Sequence, residues 1–410
     1  MNKRRIVVTG LGLVTPVGIG VKESWKNIVD GVSGITKISK FDATNFSSQI
    51  AGEVKDFDPI NYLNPKEARR MDTFIQYGLV SGIEAIKDSG FEISESNAHR
   101  IGVSIGSGIG GLGLIESTND TYDNGGPRKV SPFFIPGTII NMISGNLSIM
   151  FGLKGPNVSI VTACTTGTHS IGDAARMIGY GDADIMVAGG SEAAITELSV
   201  AGFASAKALS SRNDDPATAS RPWDRDRDGF VIGEGSGVMV LEEYEHAKKR
   251  GAKIYCELVG YGMSADAYHI TAPSIAGPKQ SMLNAINDAG VNVDEINYIN
   301  AHGTSTPLGD LNETNAIKET LGAHAYDCVI NSTKSMTGHL LGGAGGIESV
   351  FTVLAVHNQI SPPTINIFNQ DPECDLDYVA NEAREMTINA ALKNNFGFGG
   401  TNGSLVFKKI

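Results

Sequence analysis

The stretch Val161-Thr162-Ala163-Cys164-Thr165-Thr166-Gly167-Thr168-His169-Ser170 puts a cysteine between an apolar run and a run of small hydroxyl residues. With a strand over 158–163 and a helix opening at Thr165, its thiol lies at a strand-to-helix turn. A helix N-terminus offers unpaired backbone N–H groups and the positive end of a dipole. Both favour thiolate over thiol, and the same groups can receive an oxyanion. The bland reading is a small buried hydrophobe, as most free cysteines are. Position alone leaves both open. Cys256 and Cys328 lie in apolar runs and read as core, and Cys374, in a polar loop, is assigned nothing.

Two of the eight histidines have distinctive surroundings. His302 lies in Asn300-Ala301-His302-Gly303-Thr304-Ser305-Thr306-Pro307, after a run of strand character. His339 ends Lys334-Ser335-Met336-Thr337-Gly338-His339 and precedes a glycine-rich segment. Strand-end loops are where α/β folds place their chemistry, although a lone loop histidine is more often structural. His99, His169, His246, His269, His324 and His357 read as helix or surface residues. A metal on two histidines and one cysteine is disfavoured, because there is no H-x-x-x-H and no second cysteine nearby. Gly106-Ser107-Gly108-Ile109-Gly110-Gly111 matches G-x-G-x-x-G after a strand but lacks the acidic residue at a second strand end. Its glycines read as backbone packing and a wall for an apolar ligand.

These residues need elements to hold them. The chain has 410 residues, 41% of them hydrophobic and 19% charged, which suits one large core or two fused domains. Runs of strand character recur at 5–9, 101–105, 158–163, 185–188, 235–242, 296–300, 329–332 and 403–407. Helical periods follow several of them, notably at 25–30, 71–89 and 165–180, which predicts an α/β protein with buried strands. Residues 159–175 and 329–346 echo one another as strand, hydroxyl turn and glycine-rich helix start. The echo predicts two similar halves, 1–252 with the cysteine and 253–410 with both histidines. A formal charge of −12 argues against nucleic acid as a partner. Four widely spaced cysteines point to a reducing cytoplasm. The apolar run after the basic N-terminal residues is too short for a signal peptide, and no segment is long enough to span a bilayer.

Taken together, Val161-Thr162-Ala163-Cys164, His302-Gly303-Thr304-Ser305-Thr306, Lys334 to His339 and Asn395-Phe396-Gly397-Phe398-Gly399-Gly400-Thr401-Asn402 resemble the β-ketoacyl-acyl-carrier-protein synthases of elongating type, in the thiolase superfamily. The resemblance covers essentially the whole chain. It implies a duplicated fold in five layers, α-β-α-β-α, a homodimer, and condensation of acyl carrier protein with malonyl carrier protein. It also implies a Cys-His-His triad of Cys164, His302 and His339. Initiating synthases would carry asparagine at 339, and thiolases a second cysteine near the C-terminal glycines.

Further roles follow from the resemblance alone. The backbone N–H groups of Cys164 and Phe398 form the oxyanion hole, and Phe398 is a gate. Asp266 and Thr271 belong to a loop over 262–271 that moves with it. Lys334 keeps the histidines neutral, and Glu348 is its partner or shares a structural monovalent cation with Asn300. Thr304 and Thr306 bind pantetheine. Ile109, Phe134 and Ile135 line the acyl pocket, and Ile109 marks the type II branch. Lys66, Arg69 and Arg70 form one basic helix face for the acidic carrier, extended by Arg128, Lys129 and Lys207. No cofactor is expected beyond the phosphopantetheine carried by the substrate. Rival readings are a silent partner subunit of the chain-length-factor kind, a polyketide-pathway ketosynthase, and a Cys-His thioesterase or acyltransferase.

Overall fold

The computed structural model describes residues 4–410. Residues 1–3, at the head of the basic N-terminal stretch, lie outside the described residues. Ten strands carry the fold: β1 (Ile6–Thr15), β2 (Ile101–Gly106), β3 (Asn157–Val158), β4 (Ile185–Glu192), β5 (Gly235–Glu243), β6 (Cys256–Ala265), β7 (Ile296–Asn300), β8 (Val329–Asn331), β9 (Ala390–Gly397) and β10 (Thr401–Lys408). The N-terminal five lie in the order β3-β2-β4-β5-β1, and the C-terminal five in the order β8-β7-β9-β10-β6. Renumbered within each half, the two orders are the same. The pairing directions also match: parallel for the first two pairings of each half and antiparallel for the last two. The halves join edge to edge where β1 meets β6, through Val7↔Glu257 and Val8↔Cys256. The faint sequence echo is therefore a repeat of connectivity.

Five helices complete the layers: α1 (Thr73–Ser89), α2 (Thr166–Tyr180), α3 (Ala276–Ala289), α4 (Pro307–Leu321) and α5 (Ala344–Asn358). α1 covers β1, β4 and β5 from outside, while α3 covers β6 and β10 with α4 packed beside it. α2 and α5 lie between the two five-stranded halves. This is the five-layered, duplicated α/β arrangement the resemblance implies. α1 starts where the Asp72 carboxylate accepts from the Phe74 N–H at 3.1 Å, and it ends at left-handed Gly90. In α2 the periodic face Ile171, Ala174, Ala175 and Ile178 is buried in the main core. Each isoleucine there contributes about 1.5–3 kcal/mol of burial. Every residue of β1 is buried, and the strand runs to Thr15, past the 5–9 run expected, through the small residues Thr9, Gly10 and Gly12.

The two central helices cross at glycines. A Cβ on Gly167 would sit 2.4 Å from the Gly346 nitrogen, and one on Gly345 would sit 2.3 Å from the Thr168 nitrogen. Side chains there would push the helix starts apart, and those starts carry the cysteine and one histidine.

Three local expectations change. The strand expected at 158–163 shrinks to Asn157–Val158; Ala163–Thr165 is a 3₁₀ turn and the helix starts at Thr166. The chain leaves the sheet because the Ser144 and Ser159 hydroxyls take up backbone carbonyls at the end of β2 and at Val158. The loop expected over 262–271 is strand through Ala265, paired with β10, and is irregular only from Asp266. The helices expected at 25–30 and 71–89 are Val21–Val29 and Thr73–Ser89. Among the described residues no helix is long and apolar enough to cross a membrane.

Candidate active site

Cys164, His302 and His339 line one cavity of about 380 Å³, together with Phe203, Phe230, Leu341, Phe396 and Phe398. Cys164 stands two residues ahead of α2, His302 follows β7, and His339 lies between β8 and α5. The imidazole rings are 5.3 Å apart and nearly perpendicular. Each catalytic loop includes a non-glycine residue in the left-handed region: Ala163 (φ 49°) beside Cys164, Ser305 (φ 71°) after His302 and Leu341 (φ 50°) after His339. Such backbone persists only where its surroundings fix it. Ser305 is held by its N–H on Asp310 Oδ1 and by the Arg221 N–H on its hydroxyl.

The thiol does not behave as the helix-terminus argument expects. Burial pushes Cys164 up to about 11, and the Glu192 carboxylate adds to the rise. Against this work the positive charge of Lys334 and the N–H groups of Phe398 and of Cys164 itself. Desolvation outweighs the dipole, so the resting group is a thiol. The two N–H groups named for the oxyanion hole are thus among the groups that favour the thiolate.

Both histidines are held well below the usual 6.5, first by burial and next by the Lys334 charge. Their hydrogen bonds settle the tautomer. The Leu341 N–H donates to His339 Nδ1 at 3.3 Å. Asn395 Nδ2 meets His302 Nδ1 at 3.2 Å, while the Asn395 oxygen accepts from Lys393 and from Thr168. Each Nδ1 therefore accepts, and each ring carries its proton on Nε2. Glu313 pins the backbone of His302, accepting its N–H at 2.8 Å and that of Gly303 at 2.7 Å; burial raises its carboxyl to about 7.

Behind the rings lies a buried charge cluster. Lys334 donates to the His302 carbonyl at 2.7 Å and pairs with Glu348 Oε1. Lys393 reaches Glu348 Oε2 at 3.0 Å, and Asn395 donates to the same oxygen at 2.9 Å. Lys393 is lowered to about 8, chiefly by burial. Lys334 and Glu348 thus pair as expected, but the cation expected near Asn300 and Glu348 does not fit these residues. Both Glu348 oxygens already face ammonium groups. The Asn300 Oδ1, buried without a hydrogen-bond partner, is one neutral ligand. Among the described residues no group of three His, Cys, Asp or Glu side chains is arranged to hold a metal ion.

The glycine-rich 106–111 loop has an occupant of its own. Glu192, wholly buried, accepts from the Ser107 hydroxyl at 2.6 Å and from the N–H groups of Gly108 (2.8 Å), Ile109 (3.1 Å), Gly110 (3.3 Å) and Gly342 (2.9 Å). The cradle that reads as a phosphate loop holds a carboxylate of the same chain.

The remaining expected residues divide. Thr304 and Thr306 line the cavity with their hydroxyls 3.1 Å apart. Asp266, Thr271 and Phe398 line its mouth. Asp266 accepts from Asn402 Nδ2 at 2.7 Å, and the Gly399 N–H donates to the Ile270 carbonyl at 2.8 Å, so the two mouth loops are clasped together. His269, read as bland, also lines this mouth. Ile109, Phe134 and Ile135 do not line the cavity: within one chain Ile109 is 37% and Ile135 59% exposed, on a surface beside the short helix Phe134–Thr138. The basic helix face is absent as well. The helix Pro65–Ala68 is too short to carry Lys66, Arg69 and Arg70 on one face. Arg70 is drawn to Glu67 at 3.1 Å and lies 4.1 Å over the Phe133 ring, while Lys66 and Arg69 stay exposed. Arg128, Lys129 and Lys207 are exposed, and Lys207 lies between cavity-lining Ala206 and Ala208.

Sequence reasoning missed Lys393, Asn395, Glu192 and Glu313 as parts of the site. Lys393 did carry a signal: a lysine inside Ala390-Ala391-Leu392-Lys393-Asn394-Asn395-Phe396, a run that otherwise reads as buried strand.

Comparison with known proteins agrees with this geometry. Residues 3–247 match the β-ketoacyl synthase N-terminal domain, and residues 255–368 match the C-terminal domain. The chain is 60% identical, over the full length of both, to a 3-oxoacyl-[acyl-carrier-protein] synthase 2 of Vibrio harveyi. It is 54% identical to the protein of that name in Synechocystis, across all of this chain and 99% of the relative. Among solved structures it superposes on a type II polyketide ketosynthase complexed with its acyl carrier protein, with a TM-score of 0.93, 37% identity and full coverage of both chains. A β-ketoacyl synthase from Burkholderia phymatum gives 0.92 at 34% identity, covering 99% of this chain and all of that one. The chain belongs to the β-ketoacyl synthase family.

Proposed function

We infer that the chain is an acyltransferase, a 3-oxoacyl-[acyl-carrier-protein] synthase of type 2 that elongates fatty acyl chains by decarboxylative condensation. The observation that carries this reading is the pair of neutral imidazoles, each with its proton on Nε2, sharing one cavity with a cysteine. Hydrolysis needs one base and a water. Two converging donors with no free acceptor suit a developing enolate instead.

The reaction runs in two stages. The Cys164 sulfur attacks the thioester carbonyl of acyl carrier protein, and the oxyanion takes the N–H groups of Cys164 and Phe398. The intermediate collapses, and the thiol proton leaves with the phosphopantetheine sulfur, so no permanent base is required. Malonyl carrier protein then binds. The carboxylate departs as CO₂, and its bonding electrons pass to the enolate, whose oxygen accepts from His302 and His339. The enolate carbon attacks the acyl-cysteine, and Cys164 departs as thiolate and takes from solvent the one proton that the overall reaction consumes, which restores the resting thiol. The product is a 3-oxoacyl carrier protein two carbons longer. Thr304 and Thr306 hold the pantetheine arm, and the aromatic wall excludes water.

Acyl carrier protein is the macromolecular partner in this reading, with Lys207 at the cavity mouth and exposed Lys66, Arg69, Arg128 and Lys129 as its docking charges. A second copy of the chain is the other partner. β3 is the outer strand of its half, and Ile149 (78%), Met150 (49%) and Val161 (53%), which precede and follow it in the chain, are exposed, as is Ile135. A homodimer through this edge would cover them and complete an acyl pocket at Ile109, Phe134 and Ile135. Four free, buried cysteines suit work in the cytoplasm. The test is mass spectrometry after incubation with acyl and malonyl carrier proteins. An acyl adduct on Cys164 and a product two carbons longer support the reading, whereas free fatty acid as the main product defeats it.

A further inference from the structure

Lys393 is the largest departure from what the sequence led one to expect near the histidines. It lies on β9, in register with Asn300 on the neighbouring β7. Asn300 is where a structural cation was expected, together with Glu348. The Lys393 side chain is wholly buried. Its Nζ lies 3.0 Å from Glu348 Oε2, 3.0 Å from Thr168 Oγ1 and 3.2 Å from the Asn394 carbonyl, and it also donates to the Asn395 side-chain oxygen. Lysine is seldom fully buried without a partner that needs it. Lys334 already neutralises Glu348 through the other oxygen. A second ammonium is more than charge balance requires.

We propose that Lys393 is a built-in substitute for a monovalent cation at Glu348, and that through Asn395 it is the positioning residue for His302. Two contacts carry the second half. The Asn395 amide can face His302 with either its oxygen or its nitrogen. Lys393 and Thr168 both donate to one end and so fix it as the oxygen; Glu348 accepts from the other end and fixes it as the nitrogen. The nitrogen end is the one that meets His302 Nδ1. With Nδ1 accepting, the ring must present Nε2–H to the cavity. Lys393 touches no substrate, and its effect reaches the chemistry through one amide. A cation held by Asn300 and Glu348 would make a lysine here redundant, and the lysine leaves Glu348 no free oxygen for a cation.

This inference rests on the condensation reading for its catalytic half only. The experiment compares the purified full-length protein with Lys393→Ser and Lys393→Met in potassium chloride and in choline chloride at matched ionic strength. The wild type is expected to show the same melting temperature and the same kcat in both salts. Lys393→Ser is expected to lose kcat about 10–100-fold in choline chloride, the usual cost of losing a group that orients an active histidine. Potassium is expected to restore most of that loss and raise the melting temperature, because the shortened side chain leaves room for the ion. Lys393→Met is expected to lose as much without potassium rescue, because its chain fills the space. In ¹⁵N spectra of labelled histidine, His302 is expected as the Nε2–H tautomer in the wild type and as a mixture in Lys393→Met. A potassium-specific gain in wild-type stability overturns the proposal, even if neither variant folds. So does Lys393→Ser with wild-type kcat in choline chloride, or with the same loss in both salts. The melting and tautomer measurements do not depend on the substrate, so they separate failure here from failure of the condensation reading.

Discussion

Two of the carboxylates buried near the reactive groups, Glu192 in the N-terminal half and Glu348 in the C-terminal half, are satisfied in opposite ways. Glu192, at the end of β4, is surrounded by backbone N–H groups and one serine hydroxyl. Glu348, in α5, is held by two lysine ammonium groups and an asparagine amide. The halves repeat the same strand order, so the difference comes from side chains and not from topology. In the N-terminal half the buried charge is answered by dipoles that cannot move or change protonation, and it works as a staple. It ties the 106–111 loop to Gly342, three residues past His339. Around Glu348 in the C-terminal half two ammonium groups face one carboxylate, and that group works as a field. The field lies behind the imidazoles, where it disfavours a third cation and favours a developing oxyanion.

The largest expected effect is on the chemistry that this field supports. His302→Ala and His339→Ala should each lower the condensation rate by about 10²–10⁴, while acyl transfer to Cys164 continues, as intact-mass analysis would show. Cys164→Ala should abolish transfer. The pH profile sharpens the point. Both imidazoles stay neutral until the pH falls well below 6.5, so the acid limb that their protonation puts on kcat should lie well below the ordinary histidine value, and any limb nearer pH 7 or 8 should report Glu313 or Lys393 instead. Lys334→Met removes the second cause of that depression and should move the acid limb upward. Burial, the first cause, stays, so the limb should not reach the ordinary histidine value.

Glu348→Gln and Glu192→Gln test the comparison directly. Glu348→Gln leaves two buried ammonium groups without a counter-charge and should cost about 3–5 kcal/mol in stability, read by denaturant unfolding. Glu192→Gln should cost about 1–3 kcal/mol. Whichever way its amide turns, the new nitrogen faces N–H donors. If the two variants lose equal stability, the distinction between staple and field fails.

Much of this was legible in the sequence, and the pattern of success has a physical basis. Cys164, His302 and His339 each sit in a short motif at a strand end, where local residues decide the geometry. The helix face Ile171, Ala174, Ala175 and Ile178 was legible because its period is local too. Glu192, Glu313, Lys393 and the role of Asn395 were not, because these partners are joined to the site only by tertiary packing. Glu192 could not be matched to the glycine loop, which lies 85 residues earlier at Ser107, since the fingerprint leads one to seek an acid about 20 residues on. The strand expected at 158–163 is shorter because apolar residues there answer to serine hydroxyls that compete with the ladder. The thiol was expected to ionise because a helix start is visible in sequence, whereas the burial that outweighs it is not. Ile109, Phe134 and Ile135 looked like pocket residues, yet a single chain leaves them at its surface.

The smallest expected effect concerns Thr304 and Thr306, which lie on the cavity wall away from the charge cluster. Their hydroxyls are 3.1 Å apart, and each retains the capacity for a further hydrogen bond. A pantetheine amide held there is bound before the reaction and equally at its peak. Removing such a contact takes the same free energy from both states, about 0.5–1.5 kcal/mol. Thr306→Val should therefore raise KM for acyl carrier protein about 2–10-fold and leave kcat nearly unchanged. A histidine variant should do the reverse, because its donor meets charge that exists only as CO₂ departs. If Thr306→Val lowers kcat instead, the hydroxyl pair reaches the reacting atoms, and the division between wall and field has been drawn in the wrong place.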